Sequence, residues 1–176
     1  MPIPVSLVDA RRQLRMEPDD DSRDEELTGF IADAAAWVES YTGHVLEARS
    51  VTETFIGFAP IKLRAWPVKP STAVAVSYLG ATGPVAVPGA RLLVHGRPAR
   101  ALPALGAGWP AVSPRTPVAV TFRAGYEEGE EVPRNLRRAM LLLIGAYDED
   151  REGGDILAKA EASARTLCRG KRAWTV

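Results

Sequence analysis

The sequence predicts an α+β protein, mainly helical, whose terminal helices pack as a small bundle around an inserted antiparallel β segment. Apolar residues recur at helical spacing over 27–41 and 136–147, while β-branched alternation broken by Gly and Pro fills the stretch between 49 and 124. A chain of 176 residues with 46% hydrophobic content suffices for a buried core. The expected organisation is an N-terminal helical part (1–48), a β insertion (49–126), a core helix (127–154), and a C-terminal helix with a basic arm (155–176), forming one structural domain.

Ser6 caps a first short helix from Leu7 to Met16, with Asp9 completing a capping box. Ser22-Arg23-Asp24-Glu25 gives a second box, and Leu27, Phe30, Ile31, Ala34, Val38 and Tyr41 then mark one face of a helix that Gly43 stops. Short strands are expected at Arg49–Phe58, Ile61–Ala65, Thr72–Leu79, Val85–Val87, Arg91–Val94, Ala99–Leu102 and Pro117–Ala124, with turns at Gly57–Pro60, Gly80–Gly83 and Pro88-Gly89. Pro133 opens the next helix at its first position and Gly153-Gly154 closes it. Asp155 is the expected cap of a last, alanine-rich helix that ends near Leu167.

The helix after Pro133 is unusual in two ways. Its arginines, Arg134, Arg137 and Arg138, lie at the positive end of the helix dipole, and Asp148, Glu149 and Asp150 lie at the negative end. Its middle, Leu136 to Tyr147, is apolar nearly all round, which implies either a central place in a small core or a second apolar neighbour in another subunit.

Composition excludes several functions. With 22 basic and 22 acidic side chains the formal net charge is zero, which argues against a protein that coats nucleic acid through overall charge. The distribution is less even. From Ser50 to Tyr126 the one acidic residue, Glu53, stands against eight basic ones, a balance of +7 that the flanks offset with −7. A single cysteine, Cys168, forms no internal disulfide or cysteine metal cluster, so a reducing compartment is expected. The N-terminus lacks a signal-peptide pattern and no stretch reaches the roughly 20 apolar residues of a membrane span, so a soluble, unprocessed protein is expected. Only His44 and His95 supply imidazole, read respectively as a helix-end partner and a solvent-facing turn residue. Asp19-Asp20-Asp21 with Asp24 lacks the spacing and glycine of a Ca²⁺ loop, and no phosphate loop, nucleophile elbow or zinc spacing occurs. No enzyme activity, cofactor or metal is expected.

Two stretches carry a resemblance. Residues 7–16, Asp20-Asp21, Leu27, Ile31-Ala32-Asp33-Ala34-Ala35 and Glu39-Ser40-Tyr41-Thr42-Gly43 resemble the N-terminal half of head-tail connector (adaptor) proteins of long-tailed phages and gene transfer agents. Phe122-Arg123-Ala124-Gly125-Tyr126, Val132-Pro133, Leu136-Arg137-Arg138-Ala139 and Asp150-Arg151-Glu152 resemble that family's later strand, loop and helix in the same order. With Pro67-Val68 and Gly108-Trp109-Pro110 between them, the resemblance spans about residues 5–153 and is loose after Gly154.

The resemblance implies a structural protein in the neck of a virion or phage-like particle, present in the bacterial cytoplasm during assembly. Its implied partners are copies of itself in a closed ring, usually of twelve, the portal protein, a tail-side neck protein (stopper or tail terminator), and packaged DNA contacted without sequence preference. Three residue groups follow as expectations. Arg134 and Arg138 would face Asp148 or Asp150 of an adjacent subunit. Lys62, Arg64, Arg91, Arg97 and Arg100 would border the DNA passage. Arg165, Arg169, Lys171, Arg172 and Trp174 would dock an ordering arm on the portal. The competing readings are another neck component, either a stopper or a tail-completion protein, and a small nucleic-acid-binding protein. The last lacks a helix-turn-helix with a basic recognition helix and paired strand aromatics.

Overall fold

The structure, a computed structural model, describes residues 4–69 and 73–172. Helices account for 36% and strands for 24%, so the chain is mixed α+β. Two compact units divide it, a helical unit up to Glu47 and from Tyr126 to Arg172, and a β unit from Ala48 to Gly125.

In the helical unit, α1 (Leu7–Gln13) begins with the expected Ser6 and Asp9 capping box. α2 (Asp24–Thr42) stops at Gly43, whose φ of 73° places it in the left-handed region that glycine adopts without steric cost. The expected second box is absent. Ser22 turns back instead, its hydroxyl donating to Asp20 at 2.5 Å and its N–H at 3.1 Å, and α2 starts at Arg23 without a side-chain cap. The acidic turn thus captured the serine in a local hydrogen-bonded loop that competes with capping.

α3 (Arg134–Glu149) follows Pro133, which is the N-cap residue rather than the first helical one. α4 (Asp155–Cys168) runs back along it, and a 3₁₀ turn at Arg169–Lys171 ends the described chain. Leu136, Ala139, Met140, Leu143 and Ile144 of α3 are fully buried among Ala10 of α1, Ile31, Ala34 and Val38 of α2, and Ala164 and Cys168 of α4. α3 is therefore the centre of the helical core. Burial pushes the Cys168 thiol up to about 11, as expected for a small core side chain.

The β unit holds seven strands: β1 (Arg49–Ile56), β2 (Ile61–Leu63), β3 (Ala75–Gly80), β4 (Gly83–Val87), β5 (Arg91–Leu93), β6 (Ala99–Leu102) and β7 (Pro117–Ala124). They form two antiparallel sheets, one in the order β1-β7-β3-β4 and one in the order β2-β6-β5. In the larger sheet β7 is central, and its alternate residues Val118, Val120, Phe122 and Ala124 are buried on one face with Val76. Gly80 and Gly83 close the β3–β4 hairpin around a two-residue loop. By the alternation of antiparallel pairs, Pro84 and Ala86 then turn their backbone groups to the free edge of β4. Proline carries no N–H there, which blunts an edge that would otherwise template further strand pairing.

Candidate assembly surfaces

Three of the charges that oppose the α3 dipole, Asp148, Asp150 and Arg137, answer to neighbouring elements. The Arg23 guanidinium, at the start of α2, is paired with Asp148 at the end of α3 and with Glu26 at 2.7 Å, and Arg151 reaches Glu26 at 2.7 Å. Asp148 therefore lies beside the positive N-terminus of the antiparallel α2, which favours it although its own helix does not. Asp150 does the same for α4. Its carboxylate accepts from the N–H groups of Gly154 (2.8 Å), Ile156 (3.1 Å) and Leu157 (3.1 Å). Asp150, not Asp155, is thus the cap of the last helix. The sequence signal was hidden because the cap reaches across the Gly153-Gly154 turn rather than from the residue next to the helix.

At the other end of α3, Arg137 pairs with Asp9 at 2.7 Å. Burial raises the Asp9 carboxyl, but hydrogen bonds from Ser6 and the charge of Arg137 outweigh it and hold the group below its ordinary value. Arg134 and Arg138 are exposed. The structure accordingly separates the four residues expected to pair between subunits: Asp148 and Asp150 have partners in their own chain, while Arg134 and Arg138 face solvent.

Hydrogen bonds from Gly154, Leu157 and Ile156 hold the Asp150 carboxyl below its ordinary value of 3.8. A depressed folded value contributes stability above the ordinary pKa, and that stability is lost as the pH falls through the folded value. Asp150→Asn should therefore melt earlier than the wild type at neutral pH, and the two melting temperatures should converge in acid. A constant gap at all pH values would show that the charge contributes nothing to the cap.

Two of the C-terminal basic residues, Arg165 and Arg172, rest on α2. Trp37 and Tyr41 stack with ring centroids 5.4 Å apart, the Arg165 guanidinium lies 5.8 Å from the Trp37 centroid, and that of Arg172 lies 5.3 Å from Tyr41. Arg165 also pairs with Glu161 at 2.6 Å, and the Asn135 amide donates to the Leu167 carbonyl at 2.8 Å. Arg169 and Lys171 are exposed, and Trp174 lies outside the described residues.

Within the β unit, Lys62, Arg91 and Arg100 fall on the smaller sheet, with Lys62 directly opposite Arg100 across the β2–β6 pair. Arg64 follows β2 and is exposed, whereas Arg97 is half-buried with its guanidinium 5.8 Å from the Trp66 ring. Glu53 accepts from the backbone N–H groups of Arg64 and Ala65 at 2.8–3.1 Å.

The histidines divide differently from one another. His95 is exposed. His44, directly after the α2 stop at Gly43, is buried, its Nδ1 lying 2.7 Å from the Tyr126 hydroxyl and its ring stacked on Tyr126 at 5.9 Å, a polar contact inside the helical unit. Among the described residues no group of three or more His, Cys, Asp or Glu is placed to hold a metal ion. No helix among them is long and apolar enough to cross a membrane.

No family model and no curated protein matches this sequence. Solved structures do. A chain of the virion of a native gene transfer agent particle is 26% identical with a TM-score of 0.73, over 100% of this chain and 93% of that one. A chain from the neck of an empty gene transfer agent particle, computed with C6 symmetry, is 25% identical with a TM-score of 0.76, over 99% and 93%. A third, from the neck of a native particle computed with C12 symmetry, is 26% identical with a TM-score of 0.67, over 98% and 94%. The chain is similar, end to end, to structural components of gene transfer agent necks. Both units and the C-terminal helix are covered by that likeness, so the loose resemblance after Gly154 in sequence does not mark a change of fold.

Proposed function

We propose that this chain is a head-tail adaptor, a structural protein that forms a closed ring beneath the portal of a phage or gene transfer agent particle and links it to the tail. The observation that carries the reading is the likeness to neck chains along 98–100% of the sequence. The C6 and C12 symmetries of those necks support a ring, twelve copies being the count that matches the C12 one, and the larger helical share of the fold favours an adaptor over the strand-dominated stopper and tail-completion proteins. No catalytic step is assigned to it. Its partners are further copies of itself, the portal protein and a tail-side neck protein, and its place is the particle neck after assembly in the bacterial cytoplasm.

In this reading the exposed Arg134 and Arg138 meet carboxylates of a neighbouring subunit while Asp148 and Asp150 keep their roles within the chain. Exposed ion pairs are worth about 0–1 kcal/mol each, so reversing both arginines to Glu should weaken assembly only by the sum over the ring. Particle imaging tests the proposal: a neck ring with about twelve copies of this chain directly under the portal is expected from the closed cyclic symmetry of such assemblies. Particles that assemble head, neck and tail without this chain would refute it.

A further inference from the structure

The larger sheet has two edges, and the sequence treats them differently. β1 and β7 run in unbroken register from the Arg49–Ala124 pair to the Ile56–Pro117 pair, with no bulge. Hydrogen-bonded and non-bonded pairs alternate along such a ladder, and three observations fix which are which. Pro117 has no N–H to exchange with Ile56, the Gly57 N–H donates to the Thr116 carbonyl at 2.8 Å, and the Arg123 carbonyl accepts from the Lys69 N–H at 3.0 Å on the other side of β7. Arg49, Val51, Glu53 and Phe55 therefore bond to β7. Ser50, Thr52, Thr54 and Ile56 turn four N–H and four C=O groups the other way, and among the described residues no backbone partner meets them.

An exposed edge templates further strand pairing unless it is short, kinked, or carries proline or lysine. β4 has Pro84, and β2 and β5 are three residues long. β1 has eight residues and contains no proline, glycine or lysine. Its side chains on one face, Ser50, Thr52, Thr54 and Ile56, are uncharged and exposed, Ile56 by 65%. On the other face the half-buried Val51 and Phe55 flank Glu53, whose carboxylate accepts from the N–H groups of Arg64 and Ala65. We infer that the β1 edge is a docking site for an extended segment of a different protein, which adds a fifth strand to the β1-β7-β3-β4 sheet. Backbone groups supply the affinity of such a contact and alternate side chains its selection. The segment that fits presents apolar residues beside Val51 and Phe55, small or β-branched ones beside the Ser-Thr-Thr-Ile row, and no carboxylate beside Glu53. A second copy of this chain is disfavoured as the occupant. Its β4 edge is blocked by Pro84, and its β2 and β5 are too short to match eight residues. Two β1 strands, paired antiparallel so that Ser50 faces Ile56 and all the outward groups bond, set Glu53 directly against Glu53, and like charges so placed destabilise the pair.

Hydrogen exchange and site-specific cross-linking test it. In the purified chain the amides of Ser50, Thr52, Thr54 and Ile56 should exchange fast, and those of Val51, Glu53 and Phe55 slowly. A photo-reactive benzophenone side chain placed at Ile56, irradiated in the bacteria that produce this chain, should join β1 to one segment of another protein, which mass spectrometry of the adduct identifies. Thr54→Pro removes an outward N–H and no bond to β7, so the chain should fold as the wild type does while the adduct falls by about tenfold, the equivalent of about 1.4 kcal/mol. Thr54 is chosen over Thr52 because the Thr52 hydroxyl lies 2.8 Å from that of Thr121. Thr54→Val keeps the N–H and should keep the adduct, and Ala86→Pro, on the edge that Pro84 already blunts, should leave it unchanged. Should Thr54→Pro fail to fold, Ser50→Pro applies the same loss near the end of the strand. The inference is overturned by an adduct between two copies of this chain, by no adduct, by equal losses for Thr54→Pro and Thr54→Val, or by slow exchange of the four outward amides in the purified monomer. It does not rest on the adaptor reading. A ring of this chain imaged under the portal with a bare β1 edge sinks the inference alone, and a proline-sensitive adduct formed by a chain absent from the neck sinks the adaptor reading alone.

Discussion

Leu143→Ala is expected to destabilise the helical unit by about 3 kcal/mol, the middle of the range for emptying a fully buried leucine site. Leu143 is fully buried, and it sits on the helix that touches all three others. Removing its isobutyl group forfeits both the transfer free energy and the packing of the residues around it, because a helix held from three sides has little freedom to collapse into the void. Leu142, one residue earlier and only half-buried, is the internal control and should cost less when changed to Ala. Denaturant unfolding of both variants checks this. A loss below about 1 kcal/mol for Leu143→Ala would mean that α3 is not the centre of the core.

Deleting residues 169–176 is expected to leave the subunit folded and the particles largely without tails. The core ends at Cys168, and beyond it the contacts include the stack of Arg172 on Tyr41, a cation–π pair of about 0.5–1 kcal/mol at an exposed site. Subunit stability should therefore fall little. The functional cost is larger in the adaptor reading, because the same basic segment is the proposed contact with portal carboxylates. Arg165 and Arg172 rest on Trp37 and Tyr41, so in that reading docking would exchange those ring contacts for charged ones. Counting tailed particles by electron microscopy, and infective or gene-transferring ones by titre, reads the result. Normal numbers of tailed particles with the truncated chain would remove the arm from the docking role. Trp37→Ala with Tyr41→Ala separates the ring contact from the proposed docking role: it should loosen the C-terminal helix in hydrogen exchange without abolishing tail attachment.

The sequence by itself determined the elements whose signals are local. The Ser6–Asp9 box was legible because donor and acceptor lie three residues apart, Gly43 because a left-handed stop follows an apolar stripe, and β6 and β7 because alternation and flanking turns fixed their ends. Ser22 shows the limit of that logic, since Asp20, an equally local partner, took the serine that a capping box would have used. Everything that joins distant residues was decided by the tertiary structure. The pairing of Arg49 with Ala124, the partition of seven strands into two sheets, and the facing of Lys62 and Arg100 depend on register, which shifts every side chain to the opposite face when it slips by one residue. The reversed charges of α3 are the clearest case. A dipole argument applied to one helix makes Asp148 and Asp150 unfavourable, and only the packing that brings the N-termini of α2 and α4 beside them turns the same carboxylates into a pair for Arg23 and a cap for α4.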